Sequence, residues 1–331
     1  MKKYIFALAM LSSFIFTGCT EEDKQASVVG ETNTTETTQW YKIDSPTATD
    51  LHSVKFLSEN EGWIVGEKGT ILQSTDKGDA WIKFDKGITD EYLYDLDFAD
   101  GTVYICGSET TLLKSKYDET GFHWLNITIP NGSDFYRKVQ FMNSHRGWVL
   151  ETNWHHAFTR LWYTLDNMTW AESVGIPYSE NFSVKDFQFT KNQFPDVQNA
   201  DQFLYEGWLI GYEGDSPNGT AYLYRTTDGG RNWSIVMQDN DTYYSDIYFM
   251  DKNNGWITKS WGMLYTSNGG VTWNNYDFTA QTISPSTLQF VDTSNGWLNA
   301  GYHGVYHTNN GGNTWEEQKT SDARITKVQD I

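Results

Sequence analysis

Six times over, the chain repeats variants of one pattern: Gly-Trp, a short apolar run, a β-rich segment, then S/T-x-D/N-x-G-x-x-W. The closing half reads STDKGDAW at 74–81, TTDGGRNW at 226–233, TSNGGVTW at 266–273 and TNNGGNTW at 308–315. Two copies are degenerate: SKYDETGFHW at 115–124 carries extra residues, and TLDNMTW at 164–170 has lost one residue and its glycine, with Met168 in the glycine's place. The closing tryptophans, Trp81, Trp124, Trp170, Trp233, Trp273 and Trp315, stand 43, 46, 63, 40 and 42 residues apart. A period of about 40 to 50 residues with strand-like text inside it specifies propeller blades. The expected fold is all-β, a single β-propeller of six or seven four-stranded blades.

Each intact copy has a local physical rationale. An Asp or Asn two residues after Ser or Thr accepts hydrogen bonds from the turn backbone, and the following Gly supplies a positive φ without steric cost. Asp76, Asp228, Asn268 and Asn310 take the first role and Gly78, Gly230, Gly270 and Gly312 the second. Trp81, Trp233, Trp273 and Trp315 then open the next strand and are expected to be largely buried. This text resembles the Asp-box, the hairpin turn of sialidases, sortilin-type receptors and photosystem II assembly factors. The resemblance implies a structural role for these residues and no chemistry.

Inside the repeat, LHSVKFL (51–57), YDLDF (94–98), RKVQF (137–141), KDFQF (185–189), SDIYF (245–249) and STLQF (286–290) read as first strands. All six carry a Phe (Phe56, Phe98, Phe141, Phe189, Phe249, Phe290) with an apolar residue two positions before it, so both sets should share one face and pack between blades. WYKI at 40–43 is in phase with the repeat and reads as a fourth strand without its own blade, expected to close the ring against C-terminal strands. RITKVQ at 324–329 resembles another first strand, which keeps a shared seventh blade open.

The N-terminus is expected to be a targeting segment. Lys2 and Lys3 precede an apolar run from Tyr4 to Phe16, and Phe16-Thr-Gly-Cys19 resembles a lipobox. Residues 1–18 are read as a lipoprotein signal peptide and 19–39 as a lipidated Cys19 with a Thr- and Glu-rich tether that cannot bury enough surface to fold. Residues 40–331 are read as the propeller. The expected location is the bacterial cell envelope, lipid-anchored at the outer membrane on its periplasmic or surface side.

A formal net charge of −19 repels phosphate backbones and argues against nucleic-acid partners. Enzymatic chemistry finds little support. A sialidase needs three arginines around its substrate carboxylate and an Arg-Ile-Pro motif; the chain has six arginines in all and no such motif. His303 and His307 are four apart on a strand, about 13 Å, too far to share one ion. No metal, cofactor or catalytic residue is assigned. Cys106, in VYICG, is expected to be a buried and inert thiol.

Departures from the rhythm mark candidate binding residues. ETNWHHAFTR (151–160) and EGDSPNG (213–219) lengthen loops that share one face, so Trp154, His155 and His156 should lie near Asp215 there. Asp95, Asp186 and Asp246 occupy one position in three first strands and are expected near the axis; Tyr92, Tyr136 and Tyr244 stand where strands begin. The whole repeat, GWIVGEKGTILQSTDKGDAW above all, resembles the photosystem II stability and assembly factor family from about Trp40 to Trp315. That resemblance implies a non-enzymatic propeller acting as a protein-binding scaffold, here for an envelope protein or complex. The alternative is a glycan-binding or sialidase-like propeller using exposed aromatics such as Trp154.

Overall fold

The computed structural model describes residues 4–7, 41–84, 88–153, 158–190, 205–214, 219–301 and 304–318. Strands β1 (Tyr4–Ala7) and β2 (Tyr41–Asp44) form a separate antiparallel ribbon. Blade 1 follows as β3 (Leu51–Phe56), β4 (Gly62–Gly66), β5 (Ile71–Ser74) and β6 (Ile82–Lys83), and blade 2 as β7 (Leu93–Ala99), β8 (Thr102–Gly107), β9 (Leu112–Asp118) and β10 (Gly121–Asn126). Blade 3 comprises β11 (Phe135–Phe141), β12 (Gly147–Thr152), β13 (Thr159–Thr164) and β14 (Trp170–Glu172); blade 4 comprises β15 (Phe182–Thr190), β16 (Glu206–Glu213), β17 (Thr220–Thr226) and β18 (Ser234–Asn240). Blade 5 is β19 (Tyr244–Phe249), β20 (Gly255–Lys259), β21 (Gly262–Thr266) and β22 (Asn274–Asp277), and blade 6 is β23 (Thr287–Phe290), β24 (Gly296–Asn299), β25 (Val305–Thr308) and β26 (Glu316–Gln318). Every blade is an antiparallel meander in chain order, so the described residues make a six-bladed β-propeller.

Alternation along the inner strands builds the core between blades. Leu96, Val139, Phe187, Ile247 and Leu288 are buried, as are Phe141, Phe189, Phe249 and Phe290. Each of those four rings stacks on an aromatic of the preceding blade's second strand: Phe141 on Tyr104, Phe189 on Trp148, Phe249 on Trp208 and Phe290 on Trp256, with planes 8 to 13° apart. Gly-Trp is required there because the Gly faces the Phe ring of its own blade. A Cβ at Gly207 would fall 2.5 Å from Phe189.

The four intact turns form as their chemistry dictates. In blade 4, Thr226 Oγ1 donates to Asp228 at 2.8 Å and accepts the Gly230 N–H at 3.1 Å, while Asp228 accepts the Asn232 N–H at 3.0 Å. Asp76, Asn268 and Asn310 make equivalent bonds with Ser74, Thr266 and Thr308. Trp81 and Trp233 are buried, whereas Trp273 and Trp315 are only half-buried because their outer strands face solvent.

Two expectations are corrected. In the degenerate turn of blade 3 the left-handed residue is Asn167, φ 57°, whose N–H donates to Thr164 Oγ1; deleting one residue moved that conformation off Met168, which points outward. In blade 2 the extra residues extend β9 and β10 into a hairpin, so Trp124 lies within β10 opposite Ser115 instead of at a strand entry. Among the described residues the phased segment contributes β2, which pairs with β1, while the expected closure against C-terminal strands and the first-strand reading of 324–329 fall on residues outside those described.

Candidate functional site

Blade ladders satisfy the backbone of each sheet, but inner strands of neighbouring blades diverge too far to pair directly. Side chains bridge them instead. Three positions before the Phe stand Ser53, Asp95, Lys138, Asp186, Asp246 and Thr287. Asp95 accepts the Val139 N–H at 3.0 Å, Asp186 the Ile247 N–H at 3.2 Å and Asp246 the Leu288 N–H at 2.8 Å. One position before the Phe, Gln140 brackets Phe189 by accepting its N–H at 2.8 Å and donating to its carbonyl at 3.0 Å, and Gln188 treats Phe249 the same way. The three aspartates thus act as joints between the inner strands of neighbouring blades.

Lys138, on the strand between those of Asp95 and Asp186, is the hub. Its ammonium pairs with Asp186. Burial alone would lower its pKa, but Asp186, then Asp95 and Asp246, more than offset this and hold it above the ordinary lysine value. Asp246 moves the other way: burial, the neighbouring Asp186 charge and a hydrogen bond to that carboxylate push its pKa well above the usual range. The buried setting beside Asp186 thus favours the protonated form of Asp246.

At the end where inner strands begin, five of them slip register by one residue: His52 in β3, Tyr94 in β7, Arg137 in β11, Lys185 in β15 and Ser245 in β19. A bulge leaves its extra residue unpaired and re-aims the side chain. These residues form a row from blade to blade at the axial mouth. The His52 and Tyr94 rings are 5.6 Å apart, and the Arg137 guanidinium lies 4.1 Å over Tyr94.

Two cations in this row carry the electrostatic signal. Among the described residues no carboxylate lies within ion-pair distance of Arg137 or Lys185, although the protein carries a net charge of −19. Arg137 Nε is buried without a hydrogen-bond partner. Lys185 reaches solvent from within crowded walls, and this desolvation lowers its pKa. Such a mouth attracts a carboxylate.

Exposed aromatics on the same end supply contact area around it. Tyr92 is 43% exposed, Tyr178 57% and Trp261 48%. Trp261 occupies the two-residue turn between β20 and β21 at φ 58°, a strained backbone for a bulky residue, and its carbonyl accepts the Phe278 N–H at 2.8 Å. Tyr178 is held by Arg160, which donates to its hydroxyl at 3.2 Å. Tyr136 and Tyr244 are fully buried and pack between blades, which corrects the expectation that they present a surface. Trp154, His155, His156, Asp215 and His303 lie outside the described residues. Among the described residues no group of three or more metal-ligating side chains converges, and no helix is long and apolar enough to cross a membrane.

The sequence pattern of the family described as photosynthesis system II assembly factor YCF48 matches residues 32–132 and 226–324. The chain belongs to this family. A stretch of 48 residues is 40% identical to the chloroplastic photosystem II stability/assembly factor HCF136 of Guillardia theta, covering 14% of this chain and 12% of that relative. The solved YCF48 of Cyanidioschyzon merolae shares the fold at a TM-score of 0.64 and 17% identity, over 87% of this chain and 92% of that one. The extracellular domain of a B. thetaiotaomicron hybrid two-component system (TM-score 0.59, 14% identity, 87% of this chain, 36% of that one) and a streptogramin B lyase (0.52, 12%, 84% and 85%) share it too.

Within this YCF48-family chain, sequence reasoning found the aspartates but missed Lys138, Arg137 and Lys185. The signal was present. Aligning first strands on their Phe puts Lys138 in the aspartate column and Arg137 and Lys185 together one column earlier. Trp261 left no such trace, because nothing in KSWGM announces a left-handed tryptophan.

Proposed function

We propose that this propeller is a protein-binding scaffold that holds an extended segment of a partner across the axial mouth, with a carboxylate of that segment between Arg137 and Lys185. The observation that carries the reading is this pair of cations, unpaired among the described residues of an acidic chain and aimed by consecutive bulges. Membership of an assembly-factor family supports a protein client. Tyr92, Tyr178 and Trp261 add rigid amphipathic rings of the kind that dominate interface energetics. With Cys19 as a lipid anchor at the outer membrane, an envelope protein or complex is the expected client.

Crosslinking capture from membranes tests the reading. Arg137→Glu with Lys185→Glu is expected to reduce client yield at least about tenfold, since reversing rather than removing the charges adds repulsion. The thermal melt should fall by no more than about 5 °C, because what the fold loses is the contact of Arg137 with the Tyr94 ring and no carboxylate partner. Undiminished capture would reject the mouth as the site. Glycan binding is a second reading, favoured by the exposed Trp261 ring; a glycan array on which Trp261→Ala abolishes a specific signal would replace the first reading with it.

A further inference from the structure

The outermost strands present the blades to other molecules, and five of the six offer little. β6, β14, β22 and β26 are two to four residues long, and β10 turns Phe122 and Trp124 inward against Trp63 of blade 1. Strand β18 is different. It runs seven residues, SIVMQDN, without a Lys, Arg or Pro, and exposes two consecutive apolar side chains, Ile235 at 52% and Val236 at 48%. Short, charged or Pro-bearing edges are how β proteins keep other chains off.

A register slip produces this exposure. Leu223 stands opposite Met237 and Tyr224 opposite Ile235, so Val236 is the extra residue of a bulge. Leu223 and Met237 pack toward blade 5 and Tyr224 toward blade 3. Ile235 therefore follows Tyr224 to the blade 3 side, and the bulge turns Val236 with it. Val174, 63% exposed and hydrogen-bonded to the backbone of Arg231 and Trp233, extends the same apolar flank. Apolar residues scattered singly on a surface are ordinary; a group on one flank marks a place of contact.

Charge selects the occupant. Arg231 lies five residues before Val236 and Asp241 five after it, both exposed, while the ion pair of blade 4 joins Arg225 to Glu206 instead. A flank positive at one end and negative at the other complements itself when turned through 180°. We propose that a second copy of this chain docks here, the two β18 strands antiparallel about a two-fold axis at Val236. Arg231 of each copy then faces Asp241 of the other, and Ile235 and Val236 leave water against their counterparts. The net charge of −19 opposes approach, but at 0.15 M salt it is screened beyond about 8 Å, and these contacts act within that distance. Because β18 is outermost in its blade, pairing leaves the axial mouth of each copy uncovered.

Sedimentation velocity of the full chain in one detergent, over about 5–500 μM, tests the proposal and is expected to show a monomer–dimer equilibrium. Arg231→Asp and Asp241→Lys should each weaken it at least about tenfold, since each sets like charges together twice, and the double variant should return it to within about threefold of wild type. Asp241 has φ 57°, a backbone that a lysine already holds at Lys77, so Asp241→Lys is expected to fold. On oxidation, Val236→Cys should link two copies through a symmetric disulfide, whereas Val271→Cys, 73% exposed on blade 5, should not. A chain that is monomeric throughout overturns the proposal. So does a dimer that the single charge variants leave intact or the double variant fails to restore, and so does equal crosslinking at the two cysteines.

Discussion

Trp148 of β12 lies flat against Phe189 of β15, ring centroids 3.6 Å apart and planes 13° apart, while its indole N–H donates to the Gly229 carbonyl oxygen at 2.9 Å. One side chain thus joins blade 3 to both the inner strand and the turn of blade 4. Gly230 sits beneath it at φ 87°, where a Cβ would fall 2.6 Å from Trp148 Nε1 and 2.8 Å from Phe189. Backbone conformation and ring contact both exclude a side chain. Gly230→Val is expected to cost about 2–5 kcal/mol through strain and overpacking. Met168 is 79% exposed in a turn whose left-handed residue is its neighbour, so Met168→Val should cost no more than about 0.5 kcal/mol. Thermal melts compare the two, and equal shifts would contradict this account of the turns.

The raised pKa of Asp246 predicts a pH dependence of stability. Asp246 has a folded-state pKa raised above its unfolded value. Its contribution is therefore fully present below the unfolded pKa and is lost as pH rises toward the folded one. Asp246→Asn keeps a donor for Asp186 and an acceptor for the Leu288 N–H while removing the titration. The variant should melt higher than wild type near pH 8, with the gain shrinking toward about pH 4. A difference independent of pH would mean that Asp246 does not hold the proton.

Removing the hub should be felt across three blades. Lys138→Met leaves Asp186 beside a neutral side chain while its other oxygen stays bound to the Ile247 N–H. Breaking a fully buried pair costs about 3–5 kcal/mol; Lys138 keeps 31% of its side chain exposed, so about 2–3 kcal/mol is expected. Adding Asp186→Asn should recover part of the loss, since no charge is then stranded. A double variant as unstable as the sum of its singles would show that the ion pair is not the link.

The blades were legible in the sequence because each is a local meander: turn chemistry, period-2 alternation and the terminal Phe all act within about forty residues. What passes between blades was less legible. A column of Asp, Lys, Ser and Thr reads as channel lining until backbone positions show which N–H groups lack a ladder partner. The bulges at Arg137 and Lys185 are equally silent, since an extra residue at a strand's start leaves the hydrophobic pattern after it unchanged. The degenerate turn shows the limit of alignment. Counting columns put Met168 in the glycine's place, but the chain relaxed by one position and gave the left-handed conformation to Asn167, which tolerates it better.

Anchoring through Cys19 would also alter the ribbon of β1 and β2. Cleavage before Cys19 removes β1, which pairs with β2 from Tyr4↔Asp44 to Ala7↔Tyr41, and leaves the edge of β2 open beside blade 1. The acyl chains would hold the protein at the membrane almost permanently, at about 0.8 kcal/mol for each buried CH₂. Cys19→Ala is therefore expected to shift the protein to the soluble fraction or to stop its processing, visible as a retained N-terminal segment by mass. A high-salt wash separates this from charge-held association, because salt screens ion pairs and leaves acyl burial in place. Equal membrane retention of variant and wild type after that wash would refute the anchor; release of a processed, folded variant would show that propeller stability does not depend on β1.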